Sequence, residues 1–415
     1  MQQTILDVLI ENFLSFRRSR VSLGPLNVLV GPNGAGKTNF LRVFQFLGDV
    51  ARQDLTPAID GIGGFEQVRF RGETGPSKRI MIHLRGIVTE NATATAPDEY
   101  RLSFWETRQR IMGSGGVLPG PMKMLQRSET ILLKRVPGRG RRITLSGGSV
   151  QILPMESSGV THKSEGKTVS VQAQSSGLNT LRKLGDEYGA AQVESLAQVF
   201  ENLRLFEVNV DRIRRPMQSA APFRLDPDGS NVAHFLEWLS RHHPAVFDKF
   251  CEDIRFVLPG FEAFRFVPVG GADEAIRLEI NERHLSGFTP LARASYGTIR
   301  AIALFAMLHD PDPPRLTCLE EIDHGFHPHA LDRVVERLRD ASERTQVIAV
   351  THSPALVNRL NAGELIIFER DSLTGASRVI DLDPVDTEQM EAESGYRLGE
   401  LWFSGTLGGA LGQDG

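Results

Sequence analysis

The sequence predicts an α/β fold in which a sheet with alternating helices carries an antiparallel β lobe and a helical insertion. Three observations predict it. Leu26–Val30 reads as a strand that passes through a glycine-rich turn into the helically spaced stripe Phe40, Leu41, Phe44 and Leu47. Residues 79–175 break into short β-type runs separated by Gly, Ser and Pro. After about Leu258, strands and helices alternate once more.

In chain order, Thr4–Ile10 and Leu26–Val30 are predicted strands, followed by the helix after the glycine turn. The runs Ile80–Leu84, Tyr100–Trp105, Thr130–Leu133 and Val169–Val171 give a meandering antiparallel region. From Leu178 to Phe256 the period becomes helical, with one stripe at Leu181, Leu184 and Tyr188. A second stripe, Val232, Phe235, Leu236 and Leu239, is opened by the cap Asp228-Gly229-Ser230. Gly185 and Gly189 interrupt the first stripe and no heptad is sustained, which excludes a long coiled-coil arm. Beyond that, Ala275–Ile280, Arg315–Leu319, Val347–Val350 and Leu365–Phe368 are predicted strands, and Thr298–Leu308 and Ala330–Ala341 predicted helices. The expected division is 1–175, 176–256 and 257–415, with the middle segment inserted into the α/β body.

At 415 residues, 40% apolar and 24% charged, the composition is that of a globular chain. The formal charge of −4 and a pI near 6.3 give no overall reason to expect nucleic acid as a partner, so such binding would rest on local patches. The two cysteines, Cys251 and Cys318, sit in separate apolar runs, which argues against a disulfide framework and for a reducing compartment. No stretch approaches the roughly 20 apolar residues that cross a bilayer, and the N-terminus has no secretory pattern. The expected location is the cytoplasm, away from any membrane.

Four motifs carry chemistry. Gly31-Pro32-Asn33-Gly34-Ala35-Gly36-Lys37-Thr38-Asn39 satisfies G-x-x-x-x-G-K-[ST], with the strand before it and the helix after it that such a loop requires. Backbone N–H groups of Asn33 to Asn39 would wrap the phosphates of ATP, Lys37 would reach the β- and γ-phosphates, and Thr38 would ligate Mg²⁺. Arg315–Glu321 is an apolar strand ending in two carboxylates. Next to the loop, Glu320 would support Mg²⁺ and Glu321 would polarise the attacking water; alone, the pair would read as an acidic turn in solvent. Val347–Val350 ends in Thr351-His352-Ser353-Pro354, which sets His352 at a strand tip where it could hydrogen-bond a γ-phosphate. Ala294-Ser295-Tyr296-Gly297-Thr298 opens a helix whose N-terminus suits an anion. Because Lys37 occupies the cis side, the phosphate for Ser295 and Gly297 would come from a second subunit. By itself the turn reads as an ordinary helix cap.

In this order the motifs resemble the RecF/SMC-like branch of ABC-type ATPases, and among them the prokaryotic ATPases grouped with the overcoming-lysogenization-defect (OLD) type. That family runs from a phosphate loop through a long insertion to an S-x-G-T signature, an E-E-P-E-x-x-x-H-P acidic strand and loop, and a T-H-S-P switch. Here these are Gly31–Asn39, Ser295–Thr298, Glu320–Pro328 and Thr351–Pro354. Ile10–Phe16 looks like the family's opening hairpin, and Leu225–Asn231 is similar to a segment of its insertion. The resemblance implies an ATP hydrolase that closes as a head-to-head homodimer. Lys37 and Thr38 would bind nucleotide and metal, Glu320 would support the metal, and Glu321 would be the base. Ser295 and Gly297 would act in trans, and His352 would be the switch. Two residues depart from the pattern: Ile322 stands where the family has proline and Asp323 where it has glutamate. Gln67 is the candidate for the family's metal-linking glutamine, set against the plainer reading of an exposed side chain.

His324, His327 and His329 cluster without an orderly tetrahedral pattern, and His327-Pro328 is accounted for by the family loop. The basic runs Lys134, Arg135, Arg139, Arg141, Arg142 and Arg212, Arg214, Arg215 either contact a DNA backbone or form solvated faces. A transporter subunit is disfavoured by the long stretch between Lys37 and Ser295 and by a signature unlike L-S-G-G-Q. A fused nuclease is disfavoured by the short segment after His352, which leaves an effector, nuclease or toxin, as a separate partner. An ATP-gated switch that does not hydrolyse remains the alternative, and repair, phage defence and toxin control are all compatible with the sequence.

Overall fold

The computed structural model describes residues 4–72, 79–109, 112–113, 116–117, 122–136, 139–156, 167–183, 185, 190–215, 223–270, 275–380 and 382–408. The chain opens on the hairpin Thr4–Phe13 (β1) and Phe16–Ser22 (β2), then Leu26–Val30 (β3) leads through the glycine loop into Lys37–Gln53 (α1). Ile80–Ile87 (β4), Asp98–Gln109 (β5), Met122–Val136 (β6), Arg139–Ser146 (β7), Ser149–Glu156 (β8) and Lys167–Ser170 (β9) follow as an antiparallel meander, in which β7 and β8 contain none of the predicted runs. With the hairpin they form an eight-stranded antiparallel sheet in the order β9-β8-β7-β6-β5-β4-β1-β2.

Ala190–Glu201 (α2), Arg204–Phe206 (β10), Val232–His242 (α3) and Pro244–Val257 (α4) come next, then a small sheet of Phe261–Val269 (β11), Ala275–Glu282 (β12) and Phe288–Pro290 (β13). The chain continues through Tyr296–Leu308 (α5), Leu316–Leu319 (β14), Leu331–Ser342 (α6), Gln346–Val350 (β15), Leu365–Arg370 (β16) and Ser377–Ile380 (β17). The central sheet has six strands in the order β10-β14-β15-β3-β16-β17, parallel except for the final hairpin.

Every residue of β3, β14 and β15 is buried, as a parallel sheet covered on both faces requires. Alternate residues serve two cores. Leu29, Cys318, Ile348 and Phe368 face α1, α2 and the antiparallel sheet, whereas Val28, Val30, Val347 and Ala349 face α3 to α6. Phe40 of α1 packs its ring 5.2 Å from Phe44 and 5.6 Å from Phe368, which fixes the helix after the loop against β16. Both cysteines are buried free thiols.

Three local expectations are revised. The segment 176–256 is not helical throughout: Arg204–Phe206 pairs in parallel with β14 and becomes an edge of the central sheet. Of the stripe Leu181, Leu184 and Tyr188, Leu181 begins a single 3₁₀ turn, while the other two lie outside the described residues. Helix α3 is not capped by Asp228-Gly229-Ser230. Asn231 holds the cap position without a side-chain cap bond, because its amide is engaged upstream, donating to the Arg224 carbonyl and accepting from Asp226 N.

Candidate functional site

The parallel strands end at one edge of the central sheet, and the functional candidates lie in the segments that leave that edge. After β3, Gly31 takes φ 141° and Gly36 φ 110°. A side chain at Gly31 would place Cβ 2.1 Å from the Phe368 carbonyl, and one at Gly36 would meet Ser377 Oγ at 2.2 Å. The loop is therefore pressed between β16 and β17, and only glycine fits at either point. No side chain caps the start of α1, a helix of 17 residues, so its first N–H groups are open to an anion.

Lys37 is buried, and its Nζ donates to the carbonyls of Gly31 at 2.7 Å and Pro32 at 2.9 Å. Burial lowers its pKa to about 8, against an opposing pull from Glu320. An ammonium desolvated in a ring of backbone dipoles is matched to a polyanion. Asn33, Gly34 and Thr38 are exposed along the loop and Ala35 is buried. Asn39 donates to Ser15 Oγ at 2.9 Å, which ties the loop helix to the opening hairpin.

Glu320 leaves β14 beside the loop, with the Thr38 side chain close to its carboxylate. Burial first, then the charge of Glu207, raises the Glu320 pKa above its ordinary value, while the nearby Thr38 hydroxyl pulls it down. Glu207 is a residue that sequence reasoning missed. It follows β10, whose Phe206 is in register with Leu319, and Glu320 N donates to the Phe206 carbonyl at 3.2 Å. The two glutamates thus leave neighbouring strand ends together. A hydroxyl and carboxylates are hard oxygen donors of the kind that suit Mg²⁺, so the residues present fit a divalent ion accompanied by phosphates.

Glu321 is exposed and takes φ 52°. Its Oε2 lies 3.1 Å from His324 Nδ1, and its carbonyl accepts from Arg300 Nη2 at 2.9 Å. The two departures from the family pattern both form contacts. Ile322 is buried and donates its N–H to Val350 O at 3.2 Å, a bond proline cannot make. Asp323 accepts from the Thr351 hydroxyl and, at 3.4 Å, from His352 N. The acidic loop and the switch strand are therefore joined through Asp323. Burial and then the charge of Lys37 lower the His352 pKa, with Asp323 and Glu321 opposing, so His352 and Lys37 share one electrostatic environment.

Ser295 caps α5, its side chain accepting from Thr298 N at 3.1 Å. Gly297 abuts Gly325. Among the described residues no hydrogen bond joins Ser295 or Gly297 to Gly31–Asn39; the signature turn adjoins the acidic loop instead. Gln67 is exposed on the short helix Phe65–Val68 and lines a cleft with Ser15, Asn39, Arg42 and Arg370, without a hydrogen bond to Thr38 or Glu320.

The three histidines of the acidic loop are separated in role. His324 pairs with Glu321, His327 accepts from His329 N at 3.3 Å, and the His329 ring stacks on Phe256. Among the described residues no group of three or more His, Cys, Asp or Glu side chains is gathered for a metal. Arg212 and Arg214 pair with Asp228 and Asp211, and Arg141 is buried in the sheet. The side chains of Arg135 and Arg139 lie outside the described residues. No helix of the described residues is long and apolar enough to cross a membrane.

The model of a family described as "AAA domain, putative AbiEii toxin, Type IV TA system" matches residues 26–88 and 190–358, more than half of the chain. No curated protein matches it. Among solved structures, an Smc head bound to the C-winged helix domain of ScpA is similar with a TM-score of 0.55 at 13% identity, covering 93% of this chain and 99% of that one. An Smc head with an extended coiled coil, bound to the C-terminal domain of ScpA and derived from Pyrococcus furiosus, gives 0.52 at 12% identity over 95% and 100%. At such identities the likeness is one of fold.

Proposed function

Because the chain belongs to this AAA-domain family and has the SMC/ABC-like fold of a P-loop ATPase, we propose that it binds and hydrolyses ATP with Mg²⁺ at the interface of a head-to-head homodimer. The observation that carries this reading is the nearness of Glu320 to both Thr38 and Lys37, which brings the phosphate loop and the acidic strand into one site. Lys37 and the first N–H groups of α1 would hold the β- and γ-phosphates. Thr38, Glu320 and Glu207 would hold the divalent ion, which supplies charge neutralisation of the phosphates. Glu321 would take the proton of the attacking water and His352 would hydrogen-bond the γ-phosphate. Ser295 and Gly297 would complete the site of the second copy.

Two substitutions test the reading. Glu321→Gln is expected to trap an ATP-bound dimer, seen as a doubled mass by light scattering, and Lys37→Ala to abolish nucleotide binding. Unchanged turnover in both would sink it. A second reading, an ATP-gated switch that does not hydrolyse, is favoured by Ile322 and Asp323, which bind the acidic loop to Val350 and Thr351. Measured phosphate release separates the two.

The Smc heads with this fold are bound to ScpA in their structures. By analogy we place this ATPase as the controller of DNA or of an effector protein, in repair or antiphage defence. Two free, buried cysteines fit a reducing cytoplasm.

A further inference from the structure

We infer that Arg300 is a positioning residue that fixes Glu321 and ties it to the start of α5; the inference rests on the reading of Glu321 as the base. Arg300 stands in the second turn of α5, the helix opened by Ser295, and is only 7% exposed. A guanidinium taken from water needs partners in return. It donates from Nη2 to the Glu321 carbonyl at 2.9 Å and from Nη1 to Tyr296 Oη at 3.2 Å, and its charge lies 4.0 Å from Glu321 Oε2.

Glu321 is in the left-handed region at φ 52°, where a residue with a side chain is disfavoured, so its backbone must be held from outside. Its carbonyl is gripped twice, by Arg300 and by His324 N at 3.2 Å. The His324 ring in turn lies 5.5 Å from that of Tyr296. Arg300, Tyr296 and His324 thus form a closed set of contacts between the helix start and the acidic loop. The contact of Gly297 with Gly325 joins the same two segments.

The consequence is a coupling within one chain. In the proposed dimer, Ser295 and Gly297 face the phosphate of the second copy, whereas Glu321 serves the nucleotide of its own copy. Arg300 bridges the two, so a phosphate at the start of α5 biases the conformation of Glu321, and the bias is reciprocal.

The test compares wild type with Arg300→Met, Arg300→Lys and Glu321→Gln by nucleotide affinity, kcat, KM, the Hill coefficient for ATP and melting temperature. Arg300→Met is expected to bind ATP within about threefold of wild type, to lose about thirtyfold in kcat and to show no cooperativity. Arg300→Lys, which keeps the charge but lacks the planar fork that spans the Glu321 carbonyl and Tyr296 Oη, should recover part of kcat. A folded Arg300→Met with wild-type kcat, or a loss that tracks weakened binding, overturns the inference. If the Met variant does not fold, Lys decides: reduced kcat at unchanged affinity supports the inference, and unchanged kcat overturns it. Wild-type turnover in Glu321→Gln would sink the underlying reading and the inference with it, whereas an inactive Glu321→Gln beside an active Arg300→Met would sink the inference alone.

Discussion

Gly297 rests directly against Gly325: a Cβ at Gly297 would lie 2.5 Å from the Gly325 carbonyl oxygen. Because the obstacle is backbone, no side-chain rotation relieves it. Gly297→Ala is therefore expected to destabilise the protein by about 1–3 kcal/mol, through displacement of either α5 or the acidic loop. Gly363→Ala is the control, since a Cβ there meets nothing within 4 Å. Equal denaturation midpoints for the two variants would contradict the close approach.

Gln346 joins the two large sheets. At the start of β15, with 1% exposure, it accepts from Ile5 N at 2.9 Å and donates to the carbonyls of Ile5 and Gly24, both at 2.8 Å. Gln346→Leu keeps the bulk but leaves the N–H and carbonyl of Ile5 in β1 without this partner. The expected cost is about 2–4 kcal/mol, read as a lower midpoint in urea. A neutral outcome would mean that water or a shifted β1 replaces the amide.

A third prediction concerns pH. Glu129 is fully buried in the antiparallel sheet, where it accepts from Gly177 N at 2.9 Å and from Tyr100 Oη at 3.3 Å, with Arg127 Nε 3.4 Å away. Burial raises its pKa to about 7, against the opposing charge of Arg127. Between the ordinary value of 4.5 and about 7 the folded protein holds a proton that the unfolded chain has released. Stability from this group is full below pH 4.5 and is lost as pH rises through 7, by about 3 kcal/mol in all. Glu129→Gln should flatten that slope. The slope is the readout, because any constant offset from leaving Arg127 without its carboxylate does not affect it.

The sequence made legible those parts of the candidate site that lie at the ends of apolar runs. β3, β14 and β15 each read as a buried strand, and each ends in residues whose chemistry is out of place in a core: a glycine loop, two carboxylates, a histidine. β10 escaped notice because it is three residues long and begins with Arg204, so nothing in its pattern marks a strand. Glu207 escaped with it. Its position follows from pairing with β14, a relation between segments far apart in the chain that periodicity does not encode. Arg300 left one trace, as the only charged residue in the stretch Ile299–Leu308, but its hydrogen bond to a backbone carbonyl has no sequence signature. Ile322 and Asp323 read as departures, and the structure gives each a contact of its own.

The place of β3 in the central sheet bears on how the molecule comes to exist at all. β3 lies between β15 and β16, and Asn27 donates to the Val347 carbonyl, a residue 320 positions later. As the chain is synthesised, the strand that bears the glycine loop emerges long before both its neighbours and waits for them until residue 370 has left the ribosome. Closing so long a loop is slow and leaves an apolar strand edge exposed meanwhile. The glycine loop is thus translated well before it can be assembled, and the ability to hold a nucleotide appears only once the segments that flank it in the sheet have folded around it.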